Sequence, residues 1–197
     1  MKGAKILKLL QSKKSVFSFK EFLLTARGEA AHLVRQWLHY YVKSGALVHL
    51  RRGLYARDQQ YDRFEVATKI FTPSYISFET VLAGGGIIFQ YYSQIFVASY
   101  QSKSLVCDEK EYIFRKIKEE LLTDMTGIEN RGAYCIASKE RAFLDVLYLN
   151  KDYHFDNLAP LDKQKVMELL PLYNNKRMNR VVKKQFEQFE READHVA

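Results

Sequence analysis

The stretch from Glu29 to Arg57, EAAHLVRQWLHYYVKSGALVHLRRGLYAR, constrains this chain more than any other. Two different periods stand side by side in it. Over residues 29–44 the apolar residues Leu33, Val34, Trp37, Leu38, Tyr41 and Val42 keep to one helical stripe. Beyond Gly45 the period drops to two, with Leu47, His49 and Arg51 alternating with Val48 and Leu50. Arg52-Gly53 then supplies a turn, because glycine accepts the positive φ of a tight hairpin. The spacing predicts one amphipathic helix over about 29–44, capped at Gly45, then a β-hairpin of 46–51 and 54–57.

The opposite face of that helix carries His32, Arg35, Gln36, His39 and Lys43. Arg, Gln and Lys reach base edges or phosphates, and His donates to either. A solvated surface helix shows the same pattern, so the face alone decides nothing. Two features favour nucleic acid. Glu29 is the only acid, at the helix start where the dipole favours it. The helix is also the third of three basic helices and is followed by a hairpin. Arg51, Arg52 and Arg57 are expected to gather near that hairpin, where phosphates or a minor groove would lie. Helix then hairpin is the working order of a winged helix-turn-helix, with the helix in the major groove and the hairpin as wing.

The charge distribution points the same way. Residues 1–57 carry twelve Lys or Arg against Glu21 and Glu29, a net of +10, whereas residues 58–197 carry nineteen against twenty-one, a net of −2. A compact segment so charged repels itself, and a polyanion relieves the repulsion. Ahead of the stretch, residues 3–11 place Ile6, Leu7, Leu9 and Leu10 at helical spacing. Val16-Phe17 reads as an extended link. Ser18 with Glu21 forms a capping-box pattern. It opens a helix from Phe19 to Ala26 that buries Phe19, Phe22 and Leu23, and Gly28 ends the turn.

The 197 residues are enough for one large or two small domains, and 47% hydrophobic with 27% charged residues is ordinary for a globular chain. No apolar run nears the roughly 18–20 residues of a membrane span. The N-terminal MKGAKILKLLQSKK intersperses lysines among its apolar residues, unlike a signal peptide. A cytoplasmic location is therefore expected. Cys107 and Cys135 have no CxxC spacing and no histidine pair nearby, so buried free thiols are expected. Neither a metal nor a cofactor is expected.

Composition changes after Arg57, and a boundary at 57–62 divides the chain into residues 1–57 and 58–197. The second part reads as mixed α/β ending in helices, giving an α+β chain overall. A helix over 62–71 uses Phe64, Val66, Ala67, Ile70 and Phe71, and Pro73 stops it. Ser77 is read as the cap of a helix over 77–83, with Gly84-Gly85-Gly86 as its C-cap and turn. That glycine run follows a helix and lacks GxGxxG or GxxxxGK[ST], so it is not a phosphate loop. Residues 94–100 and 132–137 read as strands, and 111–117 as a strand or a β-to-helix transition. Ser138 caps a helix over 139–149 with Ala142, Phe143, Val146, Leu147 and Leu149 apolar. Arg141 and Asp145 on it have i,i+4 ion-pair spacing. Two helices close the chain. One covers 161–170 and ends at Pro171; the other, capped by Asn174 or Asn175, runs from Lys176 to about Ala193. The last has an apolar line of Met178, Val182, Phe186, Phe189 and Ala193. Its basic face of Lys176, Arg177, Arg180, Lys183 and Lys184 suits either simple solvation, the commoner role, or a second polyanion contact.

Three segments together resemble one family: GlyLeuTyrAla (53–56), ProSerTyrIleSerPheGluThrValLeu (73–82) and AlaSerLysGluArgAlaPheLeuAspValLeuTyrLeu (137–149). Their order and spacing resemble the AbiEi-type antitoxins, the transcriptional-regulator halves of bacterial type IV toxin–antitoxin (abortive infection) systems. The resemblance covers about residues 30–150. It implies an N-terminal winged helix that binds repeats in its own promoter DNA and a C-terminal antitoxin domain. It also implies a nucleotidyltransferase toxin that is counteracted without a stable complex, and no enzymatic activity in this chain. The recurring residues of 73–82 and 137–149 read as helix starts with apolar faces and are assigned to the fold.

Two other classes compete. A protein-interaction module would use the basic lobe on an acidic partner. A nuclease fused to a DNA reader would use the DxK pattern of Asp108-Glu109-Lys110 with Asp124 or Asp145 as the distant acid. No GxSxG or HExxH occurs, and His32, His39, His49, His154 and His195 are scattered. If Lys43, Arg51, Arg52 and Arg57 neutralise phosphates, log affinity should fall against log salt by about 0.9 for each.

Overall fold

The computed structural model describes residues 9–196. The helix expected over 3–11 lies mostly outside the described residues. Its last residues, Leu9 and Leu10, are helical and pack on a small core of Phe17, Phe22, Ala26, Val34, Leu38 and Leu47. Strand β1 (Val16–Ser18) follows, then α1 (Phe19–Thr25), α2 (Ala31–Lys43), β2 (Val48–Arg51) and β3 (Leu54–Ala56). The capping box forms as read: the Ser18 hydroxyl accepts from the Glu21 N–H, and the Glu21 carboxylate accepts from the Ser18 N–H at 2.8 Å.

Helix α2 ends as its glycine requires. Gly45 has φ +76°; its N–H donates to Val42 O at 3.1 Å, and the Ala46 N–H donates to Tyr41 O at 2.9 Å. These two bonds satisfy carbonyls that the last helical turn would otherwise leave open. The hairpin turns at Arg52-Gly53, where Gly53 has φ +77°. Its register pairs Val48 with Ala56 and His49 with Tyr55, then shifts so that Arg51 pairs with Leu54. The extended link β1 adds to the hairpin as a third strand, giving the order β1-β3-β2.

The rest of the chain builds a six-stranded sheet in the order β6-β7-β5-β4-β9-β8. Its strands are β4 (Ser74–Ile76), β5 (Ile95–Ser99), β6 (Lys103–Cys107), β7 (Lys110–Lys116), β8 (Ile128–Asn130) and β9 (Cys135–Ala137). The pairs β5–β7 and β4–β9 are parallel, and the others antiparallel. Helices α3 (Arg63–Ile70), α4 (Phe78–Gly84), α5 (Glu119–Thr123), α6 (Lys139–Leu149), α7 (Lys163–Leu169) and α8 (Lys176–Val196) complete the α+β architecture. No helix among the described residues is long and apolar enough to cross a membrane.

Several expectations are corrected here. Residues 74–76 form β4, and β6 and β8 are further strands that the pattern did not predict. Ser77 precedes α4 without capping it; its hydroxyl donates to Asp145 at 2.7 Å instead. The helix expected over 161–170 begins only at Lys163, because Asp162 is its cap. Pro171 lies within a following 3-10 turn (Leu170–Tyr173). Leu149 is exposed, and Cys135 is half-buried although Cys107 is buried.

Helix α6 is the centre of the second lobe, with every residue from Glu140 to Leu147 buried. Its ion pair is therefore no surface pair. Arg141 and Asp145 are both 0% exposed, with Nε 3.4 Å from Oδ1. The Asp145 carboxylate also accepts from the hydroxyls of Tyr75 (3.0 Å), Ser77 (2.7 Å) and Tyr173 (2.7 Å). Arg141 donates to the carbonyls of Thr126 (2.9 Å) and Leu121 (2.6 Å). Burial pushes the Asp145 carboxyl up, against the pull of Arg141 and the three hydroxyls.

The two lobes are joined through the small sheet. One group of its residues, Phe17 and Tyr55, faces the small helical core, together with Leu47 just ahead of β2. The other, Val16, Leu54 and Ala56 with Val48 and Leu50, belongs to the large core of the second lobe. Polar ties reinforce this seam. The buried Glu65 carboxylate of α3 accepts from the N–H groups of Ser15 and Val16 at 3.0 Å and from the Ser15 hydroxyl at 3.1 Å. Lys69 of α3 pairs with Glu21 of α1 at 2.7 Å.

Candidate nucleic-acid interface

Helix α2 turns Val34 and Leu38 fully inward and half-buries Leu33, Trp37, Tyr41 and Val42. That leaves His32, Arg35, Gln36, His39 and Lys43 exposed along its outer face, as the spacing predicted. Glu29 lies two residues ahead of the helix, in the turn, where its N–H donates to Ala26 O at 3.0 Å. The outer face thus has no acid of its own.

The hairpin turn is fixed against α1. The Phe19 N–H donates to Gly53 O at 2.8 Å, and a side chain added at Gly53 would meet the Phe19 Cβ at 3.8 Å. The Arg35 guanidinium lies 4.8 Å over the Phe19 ring. Phe19 therefore links the middle of α2 to the turn that carries Arg51 and Arg52, both exposed. Burial pushes the Tyr55 hydroxyl up, and the nearby Arg35 charge opposes it. The sheet, Phe19 and Arg35 form one connected unit.

Arg57 is not part of it. The sequence placed Arg57 with the hairpin arginines, but it follows the far end of β3. There its guanidinium donates to Leu10 O (3.5 Å), Ser12 O (3.3 Å) and Asp58 (3.2 Å). Gly53 and the three residues of β3 separate it from Arg52, and its donors hold the chain before β1. Two exposed residues on this lobe escaped the sequence reading. Lys20 follows Phe19 in the first turn of α1, and Tyr40 on α2 is 67% exposed. Tyr40 fell between the apolar stripe and the basic face, so neither pattern picked it out.

The hairpin is also held from behind. The Cys107 thiol contacts Leu50 O at 3.7 Å, and Arg51 lies near enough to pull against the burial that raises this thiol. The β6–β7 turn beyond Cys107 is made by Asp108 (φ 48°) and Glu109 (φ 60°). The Tyr61 hydroxyl donates to the Asp108 carboxylate, and Arg63 donates to Asp108 O at 3.0 Å. Only the turn and the outward residues of the hairpin are open.

The basic face of α8 is exposed at Lys176, Arg177, Arg180, Lys183 and Lys184, but not all of it is free for a ligand. Arg177 donates to Leu147 O (3.3 Å) and Tyr148 O (2.8 Å) at the end of α6, and Lys183 lies 3.7 Å from Glu187. Lys176, Arg180 and Lys184 keep no hydrogen bond or ion pair among the described residues.

The acids considered for a nuclease have structural partners. Asp145 is enclosed in the core network, out of reach of any substrate. Asp108 is occupied by Tyr61 and Arg63, and Asp124 accepts from the Thr126 N–H at 2.8 Å. No group of three or more His, Cys, Asp or Glu side chains able to hold a metal ion occurs among the described residues. Two of the three segments that carry the resemblance, 73–82 and 137–149, meet where Tyr75 and Ser77 bond to Asp145 in the core. The sequence matches no protein-family model and no curated protein.

Proposed function

We propose that the chain is a DNA-binding transcriptional regulator whose N-terminal lobe is a winged helix-turn-helix. The observation that carries this reading is the acid-free outer face of α2, with Arg35 linked through Phe19 to the arginine-bearing hairpin turn. In this reading Arg35, Gln36, His39 and His32 face base edges in the major groove. Lys43, Arg51 and Arg52 meet phosphates. Arg57 leaves the contact set, since its donors are engaged within the protein.

Following the resemblance, the DNA is a repeat in the chain's own promoter. The second lobe acts as an antitoxin against a nucleotidyltransferase toxin encoded beside it, in the cytoplasm of a bacterium. A gel shift with the upstream DNA tests the first part, and a retarded band that competitor DNA of unrelated sequence fails to displace supports it. Co-expression with the neighbouring nucleotidyltransferase tests the second, and growth rescued by this chain is the expected result. No shift, with capture of an acidic partner protein by the basic lobe, would favour the interaction module instead.

A further inference from the structure

Beside the seam between the lobes opens a cleft of about 530 Å³, within the roughly 300–1,000 Å³ range of small-molecule sites. Arg63 and Asp62 at the start of α3, Lys110 at the start of β7, Glu79 of α4, and Tyr91 and Tyr92 line it. The two acids are already matched. Asp62 accepts from the Phe64 N–H at 2.8 Å as a helix cap, and Glu79 accepts from Arg115 at 2.9 Å. Tyr92 is also settled, with its ring edge-on to Phe96 and its hydroxyl donating to Gln90 at 2.7 Å.

Two groups remain unmatched. Tyr91 is 87% exposed, so its ring contributes little to packing. The Lys110 ammonium has no hydrogen bond or ion pair among the described residues, and the half-exposed Arg63 guanidinium borders the same space. The cleft thus offers a ring face for a flat π-system and two cations for an anion. A nucleoside phosphate carries both. We propose that this cleft binds a nucleoside phosphate, its base stacked on Tyr91 and its phosphates on Lys110 and Arg63.

Arg63 also holds Asp108, and the turn at Asp108 follows Cys107, which backs the hairpin at Leu50. Phosphate on Arg63 would compete with Asp108 and loosen that turn. Occupancy should therefore change the affinity for DNA, a consequence that rests on the DNA-binding reading; the binding of the nucleotide does not.

Isothermal titration calorimetry of the full chain with ATP, GTP, CTP and UTP tests the site. Saturable one-to-one binding of at least one nucleotide is expected. Tyr91→Ala and Lys110→Gln should each weaken it about tenfold or more, and an Arg51→Ala/Arg52→Ala variant should leave it unchanged. Inorganic triphosphate and the free nucleoside, each with half the chemistry, should bind more weakly. The proposal is overturned if no nucleotide saturates, if both cleft variants bind normally, or if the hairpin variant abolishes binding. Upstream DNA titrated without nucleotide separates the two readings: failure there counts against the regulator and leaves the cleft intact. DNA affinity that saturating nucleotide shifts less than about twofold would overturn the coupling.

Discussion

Arg141 and Asp145 are two charges with no exposure, and such a pair is tolerable only because every side of it is bonded. Removing one partner leaves the other charged and alone in the core. Arg141→Met should therefore cost about 3–5 kcal/mol in urea unfolding, and Arg141→Met/Asp145→Leu should recover part of it. A single-variant loss below about 1 kcal/mol would show that the network is not strained by losing the guanidinium. Glu21 acts at the seam between the lobes, paired with Lys69. Burial raises its carboxyl, but Lys69, the Ser18 N–H and Lys14 together outweigh it and hold the pKa at about 2. Its native value is depressed, so its contribution is complete above the ordinary carboxylate value of 4.5 and is lost as pH falls toward about 2. Glu21→Gln should flatten the loss of stability between those pH values, by an amount on the order of 2 kcal/mol. A parent and variant with parallel acid-unfolding curves would contradict this.

Helix α2 and the hairpin act as one element, because Phe19 joins Arg35 to the turn at Gly53. If Arg35 reads a base, Arg35→Ala should cost about 1–3 kcal/mol of DNA binding and relax preference at one base position. Arg57→Ala should leave DNA affinity nearly unchanged, because Arg57 holds the carbonyls of Leu10 and Ser12. Equal losses from both variants would remove the distinction between reading face and structural clasp. Elements of this kind were legible in the sequence because their signals are local. Ser18 with Glu21, Gly45, Gly53 and Ser138 each mark a boundary using residues at most a few positions apart. Strands β4, β6 and β8 were not, since three to five residues carry little periodicity, and β4 is in addition held by the distant β5 and β9. Ser77 misled because its hydroxyl serves Asp145, 68 residues away, instead of its own helix. The burial of Glu65, Arg141 and Asp145 was not legible, because burial of a charge depends on partners the local pattern does not contain. The basic face of α2 needed only helical spacing, whereas the engagement of Arg57 and Arg177 by carbonyls needed the fold.

At the scale of the molecule, the small sheet belongs to both lobes. Val16, Leu54 and Ala56 are buried by the second lobe, and Glu65 accepts from three donors of Ser15 and Val16 at the start of β1. Residues 1–57 alone would expose that apolar face and leave the Ser15 and Val16 N–H groups without their partner. The segment by itself should lack a cooperative thermal transition by circular dichroism. A sharp transition with native-like dispersion in its NMR spectrum would show that it folds independently. With the lobes joined, the net +7 of residues 9–57 is presented from a fixed position. The measurement that bears most directly on this account is fluorescence anisotropy of the full chain on its own upstream DNA across a salt series. Contacts from Lys43, Arg51 and Arg52 predict a slope of log affinity against log salt of about −2.7 or steeper, which an Arg51→Ala/Arg52→Ala variant reduces by about 1.8. A flat salt dependence, or a double variant that binds like the parent, would contradict it.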